Sequence, residues 1–541
     1  MSIKHIFFLA FGVLVNYTSV CQYASHVHRP DTSDVAVEIK DIQRIRLANH
    51  ITEDKLRADL GAIASDAMEG RETGEAGIEM AAQYLKTRLE SSGFGSMSGT
   101  SVDFQEVGFT FTSWDNIEVN INDQKFRHLW DYLAFPTKNN SHPEINSSEI
   151  IFLGYGISDP KYDDYKGLDV KNKVILINSG EPIRQNGTYW LTGNSTPSDW
   201  NNNVERKLKL AYEKGVAMVL IIEEDLKAKL GENRRLLLGS SVELGDKSTA
   251  VLPYPAHIYV STTLLKEIVG KDQKKLIKAR KKIEKKGKPA NAVFRAGLKA
   301  KMGKKVNVLK GKNVIATVQG IKYPDEYIIV SAHYDHLGKR GDNIFNGADD
   351  NGSGTTAVLN IADAYANACT QGFYPDRSIV FLWVCGEEKG LLGSRYYTDN
   401  PAYPLENTMV NVNIDMVGRI DEKYENGDRY IYVIGSDRLS ATLHQVNEKV
   451  NDRFGGLVLD YTYNDENDPN KYYYRSDHYN FAEKGIPAIF FFNGVHKDYH
   501  QPSDTVEKIS FEALSYRSRY IFHLIWELAN REQRLTADAN W

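Results

Sequence analysis

From Val306 onward, the chain alternates apolar runs with stretches of helical periodicity, and this alternation limits the folds that it can adopt. The apolar runs are NVIATVQG, YIIVSAH, SIVFLWVCG, TMVNVNIDMVG, YIYVIG and IPAIFFFNG, and their composition is typical of strands covered on both faces. Segments such as TTAVLNIADAYANA lie between the runs and are typical of helices. Strands that alternate with helices predict an α/β fold, doubly wound around a mostly parallel sheet.

Residue types that bind metal ions occur in five short stretches, and most of these stretches follow an apolar run. The stretches are YIIVSAHYDHLG with His333 and Asp335, NGADDNGSG with Asp349 and Asp350, VCGEEKGLLGS with Glu387 and Glu388, VNVNIDMVG with Asp415, and DYHQPSDT with His500. In open α/β sheets, ligands bind outside the carboxyl ends of the strands. We therefore expect these side chains to meet at one edge of the sheet.

The residue types in the five stretches favour zinc. Imidazole and carboxylate groups are zinc ligands, and two zinc ions about 3.5–4 Å apart can form a hydrolytic centre. Such a centre also needs a carboxylate that stays free as a general base, so Glu387 and Glu388 can supply one ligand and that base. Asp335 is expected to hold the ring of His333 in its ligating orientation. Three other histidines are interpreted as packing or hydrogen-bonding residues: His336, His478 and His496.

Length and charge indicate a protein of more than one domain that does not bind nucleic acid. The chain has 541 residues and a net charge of -5, which gives no reason to expect nucleic acid, whose binding requires a basic surface. A helical segment is predicted from Ile51, a β-rich module with one or two helices from about Phe104 to about Phe294, and alternating strands and helices from Val306. The strongly basic segment 266–288 is interpreted as the solvated face of a helix, and a patch for nucleic acid or an anionic surface is the alternative. The other side of this helix is predicted to carry Leu265, Ile268, Leu276, Ile277 and Ile283.

The N-terminus predicts export. Residues 1–21 have the pattern of a signal peptide, with an apolar run that is too short to span a bilayer. A periplasmic or secreted protein is expected, without a transmembrane segment, and Cys21 is an alternative site for a lipid anchor. Residues 22–50 are predicted to be a leader with little structure. Cys369 and Cys385 are expected to be buried free thiols, and a single disulfide between them is the alternative.

Taken together, the motifs resemble those of the zinc aminopeptidases of peptidase family M28, in the form that carries an inserted protease-associated (PA) domain. The resemblance rests on SAHYDHLG, NGADDNGSG, VCGEEKGLLGS, NIDMVG, YYYRSDHYNFAEKGIPAIFFF and DYHQPSDT, and it extends to MEGRETGEAGIEMAAQYL and to FLGYGISDPKYDDYKGLDVKNKVILINSGEP. It therefore covers nearly the whole chain after about Ile51. It implies an N-terminal part of the catalytic domain at 51–115, an inserted PA-like domain at 116–300 and the remaining catalytic domain at 301–535. It implies two zinc ions per chain and a peptide substrate, whereas the oligomeric state stays open.

The resemblance also implies a role for each matching residue. His333 and Asp415 would hold one zinc ion, Glu388 and His500 the other, and Asp350 would bridge them, with Asp349 as the alternative bridge. Glu387 would be the general base, and Tyr473 is the candidate for stabilising the oxyanion. No ligand position is substituted, which favours an enzyme over the receptor-like members of the family that have lost activity.

Three other functions remain open at this stage. A carboxypeptidase or dipeptidase on the same scaffold would need a cationic pocket for the substrate carboxylate, for which Arg340, Arg395, Arg419 and Arg475 are the candidates. A glutaminyl cyclase is another possible enzyme of this type. In a binding protein of another class, the metal site would be structural and the PA domain would recognise a partner.

Overall fold

The computed structural model describes residues 32–234, 237 and 241–539, which divide into two compact units. The first unit comprises the residues up to Gln105 and those from Lys312 onward, and the second is Glu106–Gly311. The signal peptide expected at 1–21 and Cys21 lie outside the described residues. Within those residues, no helix combines the length and the apolar character needed to cross a membrane.

A large central sheet supports the first unit, and its two longest strands extend into the residue range of the second unit. Its strands are β1 (Thr100–Ile121), β2 (Leu298–Val318), β3 (Tyr323–His333), β4 (Arg377–Val384), β5 (Thr408–Ile414), β6 (Tyr430–Ile434), β7 (Val458–Asp460) and β8 (Ala488–Phe492). Their order is β1-β2-β4-β3-β5-β8-β6-β7. The four strands β4, β3, β5 and β8 are parallel, whereas β2 and β6 pair antiparallel on either side. The apolar runs thus form a mixed α/β sheet with a parallel centre.

Helices cover both faces of this sheet. They are α1 (Thr32–Ala48), α2 (Glu53–Ile63), α3 (Ala76–Ser91), α4 (Gly354–Thr370), α5 (Leu392–Asp399), α6 (Ala441–Val450), α7 (His478–Glu483) and α8 (Phe511–Asn530). Phe381 of β4 contacts Tyr365 of α4, with ring centroids 5.9 Å apart. The next residue, Leu382, packs instead with Tyr397 of α5 and Phe481 of α7. Because successive side chains of a strand point to opposite faces, α4 lies on one face and α5 and α7 lie on the other.

The prediction of little structure for residues 22–50 is wrong for helix α1. Near its end, Arg44 donates hydrogen bonds to Nδ1 of His523 at 3.2 Å and to Glu527 at 3.0 Å, both in α8. Leu47 and Ala48 are buried as well. The segment looked polar in sequence because, from Lys40 onward, α1 buries few side chains, and the buried arginine is paired with partners more than 470 residues away.

The second unit contains more helix than predicted. Its main sheet has the order Asn291–Phe294, Ile150–Leu153, Val174–Asn178, Met218–Ile222, Ala256–Val260 and Tyr132–Leu133, with the four central strands parallel. Its helices are Asp199–Asn202, Val204–Glu213, Leu226–Glu232, Thr262–Val269 and Gln273–Lys286. Its other strands are Gln124–Phe126, His142–Ser147, Ser158–Asp159, Tyr162–Asp163 and Ser241–Leu244. The expectation of one or two helices is therefore wrong, because parallel strands require crossover connections, which helices usually provide.

The basic segment of the second unit forms the helix Gln273–Lys286. Leu276, Ala279 and Ile283 are buried in the core of the unit, whereas the lysines of the segment are exposed. Ile277, which the sequence places on the buried side, is 43% exposed. The geometry is that of an amphipathic helix with a solvated basic face.

Both described cysteines are buried free thiols in the first unit. Burial raises the pKa of Cys369 to about 11, and it raises the pKa of Cys385 well above the usual range. We therefore expect that, in a Cys21→Ser chain at pH 8, neither thiol reacts with a disulfide reagent in the folded state, because the thiolate is the reactive form. Both should react after unfolding in guanidinium. A protein in which no thiol reacts with the reagent after unfolding would instead contain a disulfide.

Candidate metal centre

The carboxyl ends of the parallel strands bring the five metal-ligand stretches to one edge of the sheet. His333 is the last residue of β3, and Asp415 directly follows β5. Glu387 and Glu388 follow β4 after a short turn, and His500 lies in the loop after β8. Asp349 and Asp350 lie in the helical turn Ala348–Ser353, which leads into α4. The convergence expected from the sequence is therefore present in the structure.

Two groups of potential metal ligands share Asp350. His333, Asp350 and Asp415 form the first group, in which Nε2 of His333 lies 3.3 Å from Oδ1 of Asp415 and 3.5 Å from Oδ1 of Asp350. The second group is His336, Asp350 and Glu388. On that side, Nε2 of His500 lies 3.0 Å from Oδ2 of Asp350 and 3.4 Å from Oε1 of Glu388. The carboxylate of Asp350 thus has one oxygen facing each group, which is the arrangement of a bridging ligand.

The neighbouring aspartate, Asp349, is occupied by hydrogen bonds. Its Oδ1 accepts from the backbone N–H of Gly418 at 2.8 Å and from the hydroxyl of Ser353 at 2.9 Å. Its Oδ2 accepts from the side-chain amide of Asn493 at 3.0 Å, and Nε2 of His496 lies 3.1 Å from the same oxygen. These contacts hold the turn in place and leave Asp349 little capacity to bind an ion, so the geometry favours Asp350 as the bridge.

Asp335 connects the two sides of the site. Its Oδ1 accepts a hydrogen bond from the backbone N–H of Glu387 at 3.1 Å, and its Oδ2 accepts from the hydroxyl of Thr73 at 3.0 Å. Nδ1 of His333 lies 3.2 Å from the backbone oxygen of Asp335 and 3.8 Å from Oδ1. Since Asp335 is fully buried, it can fix both the His333 ring and the backbone that carries Glu387.

A buried chain of hydrogen bonds orients Asp415. The hydroxyl of Ser476 donates to Oδ2 of Asp415 at 2.7 Å, and the amide of Asn413 donates to Ser476 at 2.8 Å. The chain continues to Ser331 and Asn411, with links of 2.8 and 2.9 Å. It runs across β3 and β5 and leaves Oδ1 of Asp415 directed at His333. In the sequence, Asn411, Asn413 and Asp415 alternate with apolar residues, which was the available signal for such a chain.

His336 lies in the second group of potential ligands, although the sequence assigned it to packing or hydrogen bonding. Its Nδ1 is 3.0 Å from Oε1 of Glu388 and 3.7 Å from Oδ2 of Asp350. The side chain is completely buried. Its position three residues after His333, at the same strand end, was the one sequence signal that could have placed it here. The structure therefore adds a third histidine to the site.

The site carries an excess of negative charge. Burial lowers the pKa of His500, but the nearby carboxylates of Asp350 and Glu388 outweigh it and raise this pKa to about 10. Burial also raises the pKa of Glu387 well above its usual range. The pKa of Glu388 is lowered, because its contacts with His336 and His500 outweigh burial. The carboxylates thus draw positive charge into the cluster, as a site for cations does.

Two buried carboxylate oxygens of the cluster accept no hydrogen bond from the described residues. They are Oδ2 of Asp350 and Oδ1 of Asp415, and both face a histidine nitrogen. A buried carboxylate oxygen without a hydrogen-bond donor is costly unless an ion satisfies it. Together with the imidazole and carboxylate donor set, these oxygens fit zinc.

Tyr473 is not among the residues that line the cavity beside the metal-ligand cluster. Tyr472 and Tyr499 line it, together with His333 and Glu387. The ring of Tyr473 instead packs against His478 and Tyr479. The ring of Tyr499 stacks on that of His500, with centroids 3.9 Å apart. Tyr499 therefore lies closer to the expected chemistry, and its position directly before the ligand candidate His500 was the available sequence signal.

Comparison with known proteins identifies relatives of this domain. Residues 313–525 match the family model described as Peptidase family M28. Aminopeptidase YwaD of Bacillus subtilis (strain 168) is 31% identical over 223 residues, which cover 40% of this chain and 44% of that protein. Aminopeptidase Y of Saccharomyces cerevisiae (strain ATCC 204508 / S288c) is 28% identical over 233 residues, which cover 41% of this chain and 39% of that protein. The matches thus span less than half of the length of these relatives.

One solved structure extends the likeness in fold over most of the chain. It is an aminopeptidase from Aneurinibacillus sp. strain AM-1, with a TM-score of 0.53 and 19% sequence identity. The match covers 92% of this chain and 99% of that chain. At this level of identity, the likeness describes the fold alone.

Proposed function

Residues 313–525 belong to peptidase family M28, and on that premise we propose that this protein is a zinc-dependent aminopeptidase that releases N-terminal residues from peptides. The observation that carries the proposal is Asp350, whose two carboxylate oxygens face His333 on one side and His500 on the other. The names of the relatives, which describe aminopeptidases, support the same reaction.

The cluster offers ligands for two zinc ions. His333 and Asp415 would hold one ion, Glu388 and His500 the other, and Asp350 would bridge them. Zinc bound here would polarise the scissile carbonyl and lower the pKa of water. His336, in contact with Glu388, would orient that carboxylate, as outer-shell groups commonly do for metal ligands.

Glu387 is the proposed general base. Its Oε2 is 4.0 Å from Nε2 of His333, beyond the distances at which Asp350 and Asp415 approach the same atom. It also lines the cavity, where a substrate would lie. In this position, Glu387 can accept the proton of the attacking water and deliver it to the leaving amine.

Tyr499 is the proposed hydrogen-bond donor to the oxyanion. Its ring is fixed by stacking on His500, and it lines the same cavity as Glu387. Burial and the nearby carboxylates raise the pKa of its phenol, which keeps the hydroxyl protonated and able to donate. The role predicted for Tyr473 stays a prediction, and the position of its ring favours Tyr499.

The second unit, Glu106–Gly311, is proposed to be the inserted PA domain. It interrupts the first unit in sequence, between Gln105 and Lys312, and the solved aminopeptidase that resembles the chain in fold covers 92% of the whole chain. Every proposed metal ligand lies in the first unit, so the second unit contributes no residue to the proposed metal centre.

Metal analysis tests the proposal and distinguishes it from a binding protein with a structural metal. After equilibration with zinc, we expect about two zinc ions per chain and hydrolysis of leucine anilides. A chelator should abolish hydrolysis while the far-UV circular dichroism stays nearly unchanged, and added zinc should restore activity.

Two controls make this result interpretable. Asp350→Ala should lose bound zinc and activity, whereas Asp452→Ala, at a surface position outside the cluster, should retain both. Unfolding on metal removal, without hydrolysis at any stage, would contradict the proposal and favour a structural site.

A further inference from the structure

Of the four arginines considered for a substrate carboxylate, one lines the cavity beside the metal-ligand cluster, and it is Arg475. The other three have acidic partners: Arg340 with Glu72 at 2.6 Å, Arg395 with Glu483 at 3.8 Å, and Arg419 with Asp498 at 3.0 Å. Within the part of the chain that the structure describes, no carboxylate forms an ion pair with Arg475. Its charge is therefore available to a ligand.

Two aromatic residues hold the guanidinium of Arg475 at this cavity. It lies over the ring of Tyr472, 5.0 Å from the centroid, and it donates a hydrogen bond to the hydroxyl of Tyr499 at 3.3 Å. Tyr499 in turn stacks on His500. The cation is thus oriented before a substrate binds, and only one side chain separates it from the metal-ligand cluster.

The rest of the cavity suits an apolar side chain. Its lining includes Met416, Phe490, Phe492 and Val495. This surface would receive the side chain of the N-terminal residue. The guanidinium of Arg475 would then bind another part of the substrate. In a dipeptide, the α-carboxylate lies only about 4 Å from the scissile carbonyl carbon. A carboxylate in that place could reach a guanidinium that hydrogen-bonds to Tyr499.

We propose that Arg475 binds the α-carboxylate of the second substrate residue, so that the enzyme prefers dipeptides with an apolar N-terminal residue and a free C-terminus. The inference rests on the proposed aminopeptidase function and specifies its substrate class. An arginine is suited to this task because its planar guanidinium can bind a carboxylate through two parallel hydrogen bonds.

The test compares leucylglycine with leucylglycinamide, which differ only in the C-terminal group, a carboxylate in the first and a neutral amide in the second. For the zinc-loaded wild-type protein, we expect kcat/KM to be roughly tenfold higher for leucylglycine, the effect of a charge-assisted contact at an exposed site. In Arg475→Gln this ratio should fall to about one, and Arg475→Lys should restore part of it. Because the ratio is taken within each variant, a general loss of activity cancels.

A matched control and a reference substrate separate the possible failures. Arg395→Gln, which removes an exposed arginine that already faces Glu483, should keep the wild-type ratio. Equal rates on both substrates in the wild type, or a ratio that survives Arg475→Gln, would overturn the inference. Leucine anilide carries no carboxylate, so its hydrolysis tests the proposed function by itself. A zinc-loaded wild type that cleaves none of the three substrates would overturn both.

Discussion

Replacing Glu387 by Gln is expected to lower kcat about 10²–10⁴-fold while the zinc content stays unchanged. The amide cannot accept the proton of the attacking water, but it nearly preserves the size and the polar contacts of the carboxylate. The carboxylate of Glu387 comes no closer than 4.0 Å to Nε2 of His333, and neither group of potential ligands includes Glu387. The loss should therefore appear in turnover rather than in metal binding, as measured by leucine anilide hydrolysis and metal analysis of the same samples.

Glu483→Gln provides the matched control for this experiment. Glu483 is exposed and lies 3.8 Å from Arg395, outside the metal centre, so its substitution should leave kcat and zinc content at the wild-type values. A Glu387→Gln protein with normal turnover would show that another group takes the proton. Loss of zinc together with turnover would instead make Glu387 a ligand.

Replacing Arg71 by Met is expected to destabilise the first unit by roughly 3–5 kcal/mol, the largest stability effect that we predict. Arg71 is completely buried, and burial lowers its pKa to about 10. Its guanidinium donates to the backbone oxygens of Ile63, Tyr334, Asn346 and Gly347 at 2.7–2.9 Å. Methionine fills similar space but leaves these four buried acceptors without their donor.

The effect of Arg71→Met should reach the metal centre, because Gly347 directly precedes the turn that carries Asp350. Urea denaturation followed by circular dichroism measures the free energy of unfolding, and metal analysis measures zinc retention. Arg395→Met is the control, since an exposed pair at 3.8 Å contributes at most about 1 kcal/mol. Equal stability of the two variants would show that Arg71 is dispensable for the turn.

The sequence predicted the parts of the protein that depend on short-range pattern. Apolar runs such as those of β3 and β4 identify buried strands, because both faces of a parallel strand require apolar side chains. The residues of metal-ligand type at the ends of these runs are then expected at a common edge of the sheet. The sequence alone placed His333 and Asp415 in one site, because the carboxyl ends of parallel strands meet at one edge of a sheet.

Long-range pairing explains what the sequence did not predict. Helix α1 looks like a polar leader until Arg44 is paired with His523 and Glu527 in α8. The helices of the second unit follow from the parallel pairing of its strands, which no single strand reveals. These features depend on contacts between segments that are distant in the chain, and a local sequence pattern does not predict such contacts.

The sequence by itself determined which residue types could hold zinc and that they follow strands of one sheet. Only the tertiary structure decided which contacts each of two neighbouring candidates makes. Asp349 and Asp350 are adjacent and chemically identical, yet hydrogen bonds from Asn493 and Ser353 satisfy one, whereas the other faces two histidines. The physical reason is that a carboxylate's role depends on which donors surround its oxygens, and those donors come from elements that folding brings together.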